Sequence, residues 1–139
     1  MRRKNKGFTL VELIVVILLI SMLGVFVVPQ FLKTVSKARK DIAKAKLADL
    51  ESAIGRFSID CGRFPLQEEG LEALLMVPEE LEEKWRGPYV KRRELVDPWE
   101  NPYVYIEEGE VNPGSYDLIS YGADGVEGGE DDNEDIFND

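Results

Sequence analysis

Residues 7–28 read GFTLVELIVVILLISMLGVFVV, and this stretch decides the fold. It contains one ionisable side chain, Glu12, and is otherwise almost wholly apolar. With a helical rise of about 1.5 Å per residue, the segment from Phe8 to Val28 spans about 30 Å, the thickness of a bilayer core. Residues 8–28 are therefore predicted to form a transmembrane helix.

Positive charges stand immediately before this segment. They are Arg2, Arg3, Lys4 and Lys6. Positive flanks stay on the cytoplasmic side, so residues 29–139 are predicted to lie outside the cytoplasm. A secretory signal peptide fits less well, because its apolar core has about 7–15 residues and is followed by a small-residue cleavage site.

The carboxylate of Glu12 is costly in an apolar helix. Insertion scales put a central acidic group at about 2.5–3.5 kcal/mol, and somewhat less near a helix end. Two interpretations are open. Glu12 either reaches the membrane interface one turn away, or it pairs with a cation that compensates its burial.

The sequence KGFTLVE at residues 6–12, followed by a long apolar run, resembles the class III signal of type IV pilins and type II secretion pseudopilins. The resemblance implies that prepilin peptidase cleaves between Gly7 and Phe8 and so removes residues 1–7 as a leader. It also implies that Phe8 becomes N-methylated. Glu12 would then pair with the terminal amine of a neighbouring subunit in a filament.

The helical pattern continues beyond the membrane segment, so Pro29 is expected to kink the helix rather than end it. Apolar residues recur at steps of three and four on two adjoining stripes. The first stripe holds Phe31, Val35, Ala38, Ile42 and Ala45, and the second holds Leu47, Leu50, Ile54 and Phe57. One helix from Phe8 to about Phe57 is predicted, with an amphipathic outer half that needs a covering layer.

The second half of the chain reads as short elements. Gly62 and Pro65 stop the long helix, and residues 67–77 are predicted to form a short helix. Strands are predicted at residues 102–107 and 115–121, with a weaker third at residues 90–96. The expected fold is α+β: the long N-terminal helix, membrane-spanning in its first half, packs on a small antiparallel sheet in a pilin-like shape.

Several segments, in this order, resemble the major pseudopilins of type II secretion, the general secretion pathway protein G family. They are GRFP at 62–65, EGLEAL at 69–74, WRGPYV at 85–90, DPWENPYVY at 97–105 and SYGADGVEGGE at 120–130. A type IV pilin usually closes a C-terminal loop with two cysteines, whereas Cys61 is the only cysteine here. The chain departs from the family at Glu100, where Gly is usual, and at Asp139, where a Trp commonly follows the Asn.

Charge is divided unevenly along the chain, whose net charge is −10. Residues 1–46 hold ten Lys or Arg and two acids, whereas residues 94–139 hold fifteen acids and no Lys or Arg. Nucleic-acid binding is disfavoured. The basic stretch after the membrane segment comprises Lys33, Lys37, Arg39, Lys40, Lys44 and Lys46. It fits a solvated face, lipid headgroups or acidic parts of neighbouring subunits, and we favour a solvated or filament role.

The C-terminal loop, residues 122–139, reads GADGVEGGEDDNEDIFND and is dense in carboxylates. They are Asp124, Glu127, Glu130, Asp131, Asp132, Glu134 and Asp135. Calcium, which takes six to eight oxygen ligands, would neutralise such a cluster. The spacing does not match an EF-hand loop, and composition alone is equally consistent with a disordered acidic tail.

The resemblance favours calcium, because major pseudopilins bind this ion in the corresponding loop. It implies carboxylate ligands from Asp124, Asp131 and Asp132, and backbone oxygens from Tyr121 and Val126. Asp135 would instead cap or close the loop, and the resemblance leaves open whether Asp132 or Asp135 completes the calcium shell. Calcium would be a structural ligand that stabilises the folded state by mass action.

Three functional classes follow. The favoured one is the major structural subunit of a periplasmic type II secretion pseudopilus, anchored in the inner membrane, that polymerises to drive folded proteins across the outer membrane. Its partners would be further copies, minor pseudopilins, prepilin peptidase, the inner-membrane assembly platform and a secretin. The alternative is a surface type IV-like pilus for adhesion or motility. An anchored enzyme is disfavoured, because Cys61 stands without any His and the acids form no defined catalytic pair.

Overall fold

A computed structural model describes residues 7–138 of the chain. One long helix, α1 (Leu10–Cys61), dominates it and continues through Pro29, as predicted. The helix is long and apolar enough to cross a membrane, and none of its most apolar window is buried. The chain divides into two units, one up to Lys37 and the other from Ala38 onward.

The ends of α1 differ slightly from the prediction. The helix begins at Leu10 rather than Phe8 and ends at Cys61 rather than near Phe57. Cys61 lies one turn beyond Phe57 on the same buried stripe, so packing extends the helix. Gly62 then adopts a φ of +80° and donates its N–H to the carbonyl of Ser58, which is how glycine commonly ends a helix.

The core of the second unit forms along one stripe of α1. Its second predicted stripe, Leu47, Leu50, Ile54 and Phe57, is buried as expected. Ala43, Ala53 and Cys61 join it. The first stripe was predicted wrongly as a core face: Phe31 is 66% exposed and Ile42 is 50% exposed. Ile42 and Ala45 lie on a different face of α1 from Ala43, Leu47 and Leu50, and only the face of these three residues is covered by the rest of the second unit.

Four short 3₁₀ helices connect the remaining elements. They span Gly70–Leu74, Glu79–Leu81, Arg92–Leu95 and Asp131–Asn133. The first replaces the short helix predicted over residues 67–77. The third replaces the strand predicted over residues 90–96, which is therefore wrong: only Val96 forms an isolated bridge, to Pro102.

Three strands form an antiparallel sheet in the order β1–β2–β3. They are β1 (Val104–Ile106), β2 (Asp117–Ser120) and β3 (Ile136–Phe137). Val104 pairs with Ile119, and Ser120 pairs with Ile136. The first two strands lie within the predicted ranges but are shorter. The third comes from the acidic tail, where no strand was predicted, because its two residues are too few to show an alternating pattern.

The WRGPYV segment packs against the end of α1. The ring of Tyr89 makes edge contacts with Phe57 and Trp85, with centroids 5.7 and 5.6 Å apart. The Tyr89 hydroxyl donates to Asp60 Oδ2 at 2.8 Å, and Trp85 Nε1 donates to the carbonyl of Ala73 at 2.9 Å. Burial raises the pKa of the Tyr89 phenol to about 12. These aromatic contacts hold the connecting segments on the helix.

Candidate functional site: the helix start and the acidic loop

The start of α1 is organised by a reciprocal pair of hydrogen bonds between Thr9 and Glu12. The backbone N–H and the hydroxyl of Thr9 both donate to Glu12 Oε2 at 2.9 Å, and the Glu12 N–H donates to Thr9 Oγ1 at 3.2 Å. This is a capping box, which satisfies orphan N–H groups at a helix start. Sequence reasoning missed it, although the Thr-x-x-Glu spacing carries the signal.

The predicted cleavage site lies just before this cap. Gly7 and Phe8 precede α1, and both are exposed. A Cβ at Gly7 would meet nothing within 4 Å, so packing within the chain does not require glycine there. If glycine is required at this position, the requirement would come from recognition by a processing enzyme. Cleavage and methylation remain predictions.

The acidic loop is held by contacts at several points along its length. Asn101 Nδ2 donates to the carbonyl of Gly122 at 2.8 Å, and the Ala123 N–H donates to the carbonyl of Asp132 at 2.8 Å. Gly128 donates its N–H to Asp135 Oδ2 at 2.8 Å, so Asp135 closes the loop as expected. The loop is therefore a folded turn structure with strand β3 at its end, not a free tail.

The close approach of the two arms of the loop requires glycine at position 122. Gly122 has a φ of +63°, and a Cβ there would lie 2.7 Å from the carbonyl oxygen of Asp132. No side chain fits that space without moving the backbone of the opposite arm.

One cation reaches the loop from α1. Lys40 Nζ lies 2.6 Å from Glu134 Oε2. This hydrogen bond and its charge hold the pKa of the Glu134 carboxyl below its usual range. The pair is exposed on the Glu134 side, so its contribution to stability is small. It compensates one of the seven carboxylates.

The predicted calcium ligands lie on the outer arms of the loop. Asp124, Asp131, Asp132 and Val126 are exposed, and Tyr121 is half-buried. Asp124 Oδ1 accepts the Val126 N–H at 3.2 Å. Among residues 7–138, no three His, Cys, Asp or Glu side chains converge closely enough to hold a metal ion. The calcium site therefore stays a prediction.

The donor chemistry of the loop nevertheless fits a hard cation. Asp135 Oδ1 is buried and has no hydrogen-bond partner, which is costly for a carboxylate oxygen. Burial, followed by the negative charges of Glu127 and Asp135, raises the pKa of the Tyr121 phenol. Calcium prefers carboxylate and carbonyl oxygens, and these are the groups that the loop presents.

Asp97 stabilises the residues that hold the acidic loop, a role that was not predicted from the sequence. It is buried, and its Oδ1 accepts the N–H groups of Trp99 and Asn101, both at 2.9 Å. Its Oδ2 accepts the hydroxyl of Ser120 at 2.6 Å. Asp97 thus fixes Asn101, which holds Gly122. An Asp directly before a Pro-containing turn was the available signal.

Comparison with known families agrees with this architecture. The family described as type II secretion system (T2SS), protein G matches residues 30–139, and a prokaryotic N-terminal methylation motif matches residues 2–28. Type II secretion system core protein G from Pseudomonas aeruginosa is 37% identical over 139 residues, covering 99% of this chain and 96% of the relative. The core protein G of Vibrio cholerae is 39% identical over 138 residues, covering 98% of this chain and 92% of the relative.

A solved structure shares the fold. The crystal structure of the major pseudopilin from the type 2 secretion system of enterohaemorrhagic Escherichia coli superimposes with a TM-score of 0.64 at 33% identity. The match covers 81% of this chain and 96% of that one. The pilin-like arrangement of a long helix on a small antiparallel sheet is therefore confirmed.

These matches extend over nearly the whole chain and confirm the resemblance found in its segments. The family is a structural pseudopilin subunit of a secretion system rather than an enzyme, and its apolar N-terminal helix indicates membrane anchoring. The chain belongs to the protein G family of the type II secretion system.

Proposed function

We propose that this chain is the major structural subunit of a type II secretion pseudopilus, and that it polymerises to drive folded proteins across the outer membrane. Its homologues carry the name core protein G, and its structural neighbour is a major pseudopilin. The single observation that carries polymerisation is apolar surface on α1 beyond the predicted membrane span.

Ile42 and Ile59 are the clearest examples of this surface. Ile42 is 50% exposed and Ile59 is 83% exposed. Both residues follow the predicted membrane span of residues 8–28 in the sequence, so lipid is not expected to cover them, whereas contact with another copy would. Contacts that join different surfaces of identical copies generate open helical filaments.

Glu12 fits a role at the assembly step. Both hydrogen bonds from Thr9 go to Oε2, and within residues 7–138 no hydrogen bond reaches Oε1. Cleavage after Gly7 would place a positive terminal amine on Phe8. Such an amine on a neighbouring copy is the cation that an acid in an apolar surface needs. Glu12 therefore caps its own helix and presents its second oxygen to the next subunit.

The remaining assignments complete this proposal. Prepilin peptidase removes residues 1–7 and leaves a methylated Phe8. Residues 8–28 hold the subunit in the inner membrane, and residues 29–139 lie in the periplasm. Minor pseudopilins, the inner-membrane assembly platform and the secretin are its other partners. The match to an N-terminal methylation motif supports the processing step.

We also propose that the acidic loop binds calcium as a structural ion. Asp124, Asp131 and Asp132 would supply carboxylates, and Tyr121 and Val126 would supply backbone oxygens. The buried unpaired oxygen of Asp135 and the excess of negative charge support the proposal. When bound, calcium neutralises the repulsion between the two arms of the loop.

The alternative, a subunit of a surface type IV-like pilus, is favoured less. The cysteine pair that usually closes the C-terminal loop in that class is absent, because Cys61 is the only cysteine in the sequence. Cys61 is also buried against the core, far from the C-terminal loop in sequence.

An assembly assay tests the function. Ile42→Glu, at an exposed position, should leave the melting temperature unchanged but abolish filaments sheared from cells that express the secretion genes. Glu12→Val should abolish them as well, with the chain still in the membrane fraction. The matched control is Val111→Glu, because Val111 is 54% exposed but lies in the β1–β2 loop, not on α1. Normal filaments from both helix variants would contradict the proposal.

A further inference from the structure

Two lysines directly after the predicted membrane span are not used by the chain itself. Lys33 and Lys37 are exposed, and within the described part of the chain neither makes a side-chain hydrogen bond or an ion pair. Lys40 differs, because it binds Glu134, and Lys46 donates to the carbonyl of Val96 at 2.9 Å. Lys40 and Lys46 thus bind groups of their own globular unit, whereas Lys33, Lys37, Arg39 and Lys44 make no side-chain hydrogen bond or ion pair within residues 7–138. Lys33 and Lys37 are the two of these four that lie nearest to the predicted membrane span.

The depth of these two lysines is set by the helix geometry. Lys33 follows Val28 by five residues, so its Cα lies about 7.5 Å beyond the apolar segment along the axis. The polar headgroup layer extends about 5–7 Å beyond the hydrocarbon core on each side. The Lys33 Cα is thus at the outer edge of the headgroup layer, and the Lys37 Cα is about 6 Å further out.

The direction of the side chains brings both ammonium groups back toward the membrane. In an α-helix every Cα–Cβ bond is tilted toward the N-terminus, which for Lys33 and Lys37 is the membrane side. Their spacing of four residues places them on one face, one above the other. A long lysine stem can lie along apolar surface while its charge reaches the interface.

The local charge and shape favour an anionic ligand at this level. No acidic residue occurs between Glu12 and Asp41, so Lys33 has no acidic neighbour within one helical turn. Asp41 follows Lys37 by four residues, but no ion pair joins the two side chains within residues 7–138. A shallow recess of about 320 Å³ beside Lys33 is lined by Pro29, Gln30 and Thr34. Gln30 offers an amide N–H₂ group beside the ammonium, which suits a phosphate oxygen.

We propose that Lys33 and Lys37 bind the phosphate groups of anionic phospholipids in the leaflet where α1 leaves the bilayer. The inference rests on the proposed membrane span of residues 8–28. It assigns the two proximal lysines to the membrane surface and leaves Lys40 and Lys46 to the globular unit. Phosphatidylglycerol is the probe that separates this role from a solvated face.

The test uses the full chain reconstituted in phosphatidylcholine vesicles that contain spin-labelled phosphatidylglycerol or spin-labelled phosphatidylcholine. Electron paramagnetic resonance measures the preference of the protein surface for the anionic lipid. The double variant K33Q/K37Q should lower that preference by about fivefold for each lysine at low salt. The double variant K33R/K37R should keep it, and 1 M salt should weaken it in the wild type.

The matched control removes two cations elsewhere. Lys84 and Arg93 are exposed, and no side-chain contact is seen for them in residues 7–138, so K84Q/R93Q should leave the lipid preference unchanged. The cations of residues 1–7 are present in every variant and cancel in the comparison. Equal preference in wild type and K33Q/K37Q would overturn the proposal, as would an equal loss in the control.

Two further outcomes separate the possible failures. Unchanged lipid preference with reduced cross-linking between copies in K33Q/K37Q would assign the lysines to an acidic surface of a second copy and overturn the lipid proposal. Failure of the wild-type chain to float with the vesicles in a density gradient would instead overturn the membrane span, and the lipid proposal with it.

Discussion

Asn138 Nδ2 donates a hydrogen bond to Glu51 Oε1 at 2.9 Å across 87 residues of sequence. The same amide group accepts the Leu118 N–H at its Oδ1, at 2.7 Å. One side chain near the end of the chain thus connects α1 with the central strand of the sheet. Asn138 is buried, so each of these groups depends on its partner.

The first prediction concerns this connection. Asn138→Asp keeps the acceptor for Leu118 but removes the donor and places a second carboxylate beside Glu51. We expect a loss of about 2–4 kcal/mol in the free energy of unfolding, measured by urea denaturation of the chain in detergent. Adding Glu51→Gln should restore part of the loss, because the new amide can donate. A double variant no more stable than N138D would contradict direct coupling.

The second prediction concerns Asp117, the first residue of β2, which accepts hydrogen bonds from the β1–β2 loop. Burial alone raises the pKa of this carboxyl, but hydrogen bonds from the N–H groups of Val111, Asn112 and Glu110 and from the Asn112 amide outweigh it and hold the pKa below its usual range. A lowered folded-state pKa stabilises the fold above the unfolded value of about 3.9, and that contribution is lost as pH falls toward the folded value.

The variant Asp117→Asn should therefore lose about 2–3 kcal/mol at pH 7, since it places an amide N–H₂ where backbone N–H groups point. Its stability should also fall less steeply than that of the wild type as pH drops below about 4. Glu108→Gln, in the β1–β2 loop at an exposed position without a side-chain hydrogen bond or ion pair in the described residues, should match the wild type. If the free energy of unfolding of D117N and that of the wild type fall equally with decreasing pH, this account is wrong.

The third prediction concerns Glu100, where the resemblance to the protein G family leads us to expect Gly. Its φ is +71°, in the left-handed region that costs an L-residue about 1–2 kcal/mol. Glu100→Gly should raise the stability by up to about 1 kcal/mol, since glycine's larger unfolded-state entropy offsets part of the gain. Glu82→Gly is the control, because Glu82 has an ordinary φ of −51° and should not gain. A lower melting temperature for E100G would show that contacts of the Glu100 side chain stabilise the fold by more than its positive φ destabilises it.

The fourth prediction concerns calcium in the acidic loop. Chelation should lower the melting temperature and expose the C-terminal loop to protease, because repulsion between its carboxylates then goes uncompensated. Calcium at 100 times its dissociation constant should add about 2.7 kcal/mol. Asp124→Ala should abolish this response, whereas Asp49→Ala, at an exposed site on α1, should keep it. If neither the chelator nor added calcium changes the melting temperature of the wild type, the loop does not bind calcium as proposed.

The fifth prediction concerns processing. Mass spectrometry of the protein from cells with prepilin peptidase should show loss of residues 1–7 and a methyl group on Phe8. Gly7→Leu should keep residues 1–7 attached yet fold normally, because a side chain at Gly7 meets nothing within 4 Å. A mature N-terminus elsewhere would contradict the cleavage site.

The acidic loop shows what the sequence could and could not predict. Its composition was equally consistent with a cation site and with a disordered tail, the family resemblance favoured the cation site, and the glycines indicated turns. The pairing of Lys40 with Glu134, 94 residues apart, was not visible, since no local pattern encodes a partner at that distance. A loop-closing role of Asp135 was expected, but its partner, the N–H of Gly128, and its buried oxygen without a hydrogen bond became visible only in three dimensions.

The sequence by itself determined the long helix, because an apolar run of bilayer length and a repeat of 3.6 residues are local properties. It also identified the buried stripe of Leu47, Leu50, Ile54 and Phe57, together with the family. The tertiary structure decided the third strand at Ile136–Phe137 and the buried carboxylates of Asp97 and Asp117. Each of these depends on hydrogen-bond partners that are distant in sequence. Such partners make it possible to bury a carboxylate and to form a strand of only two residues.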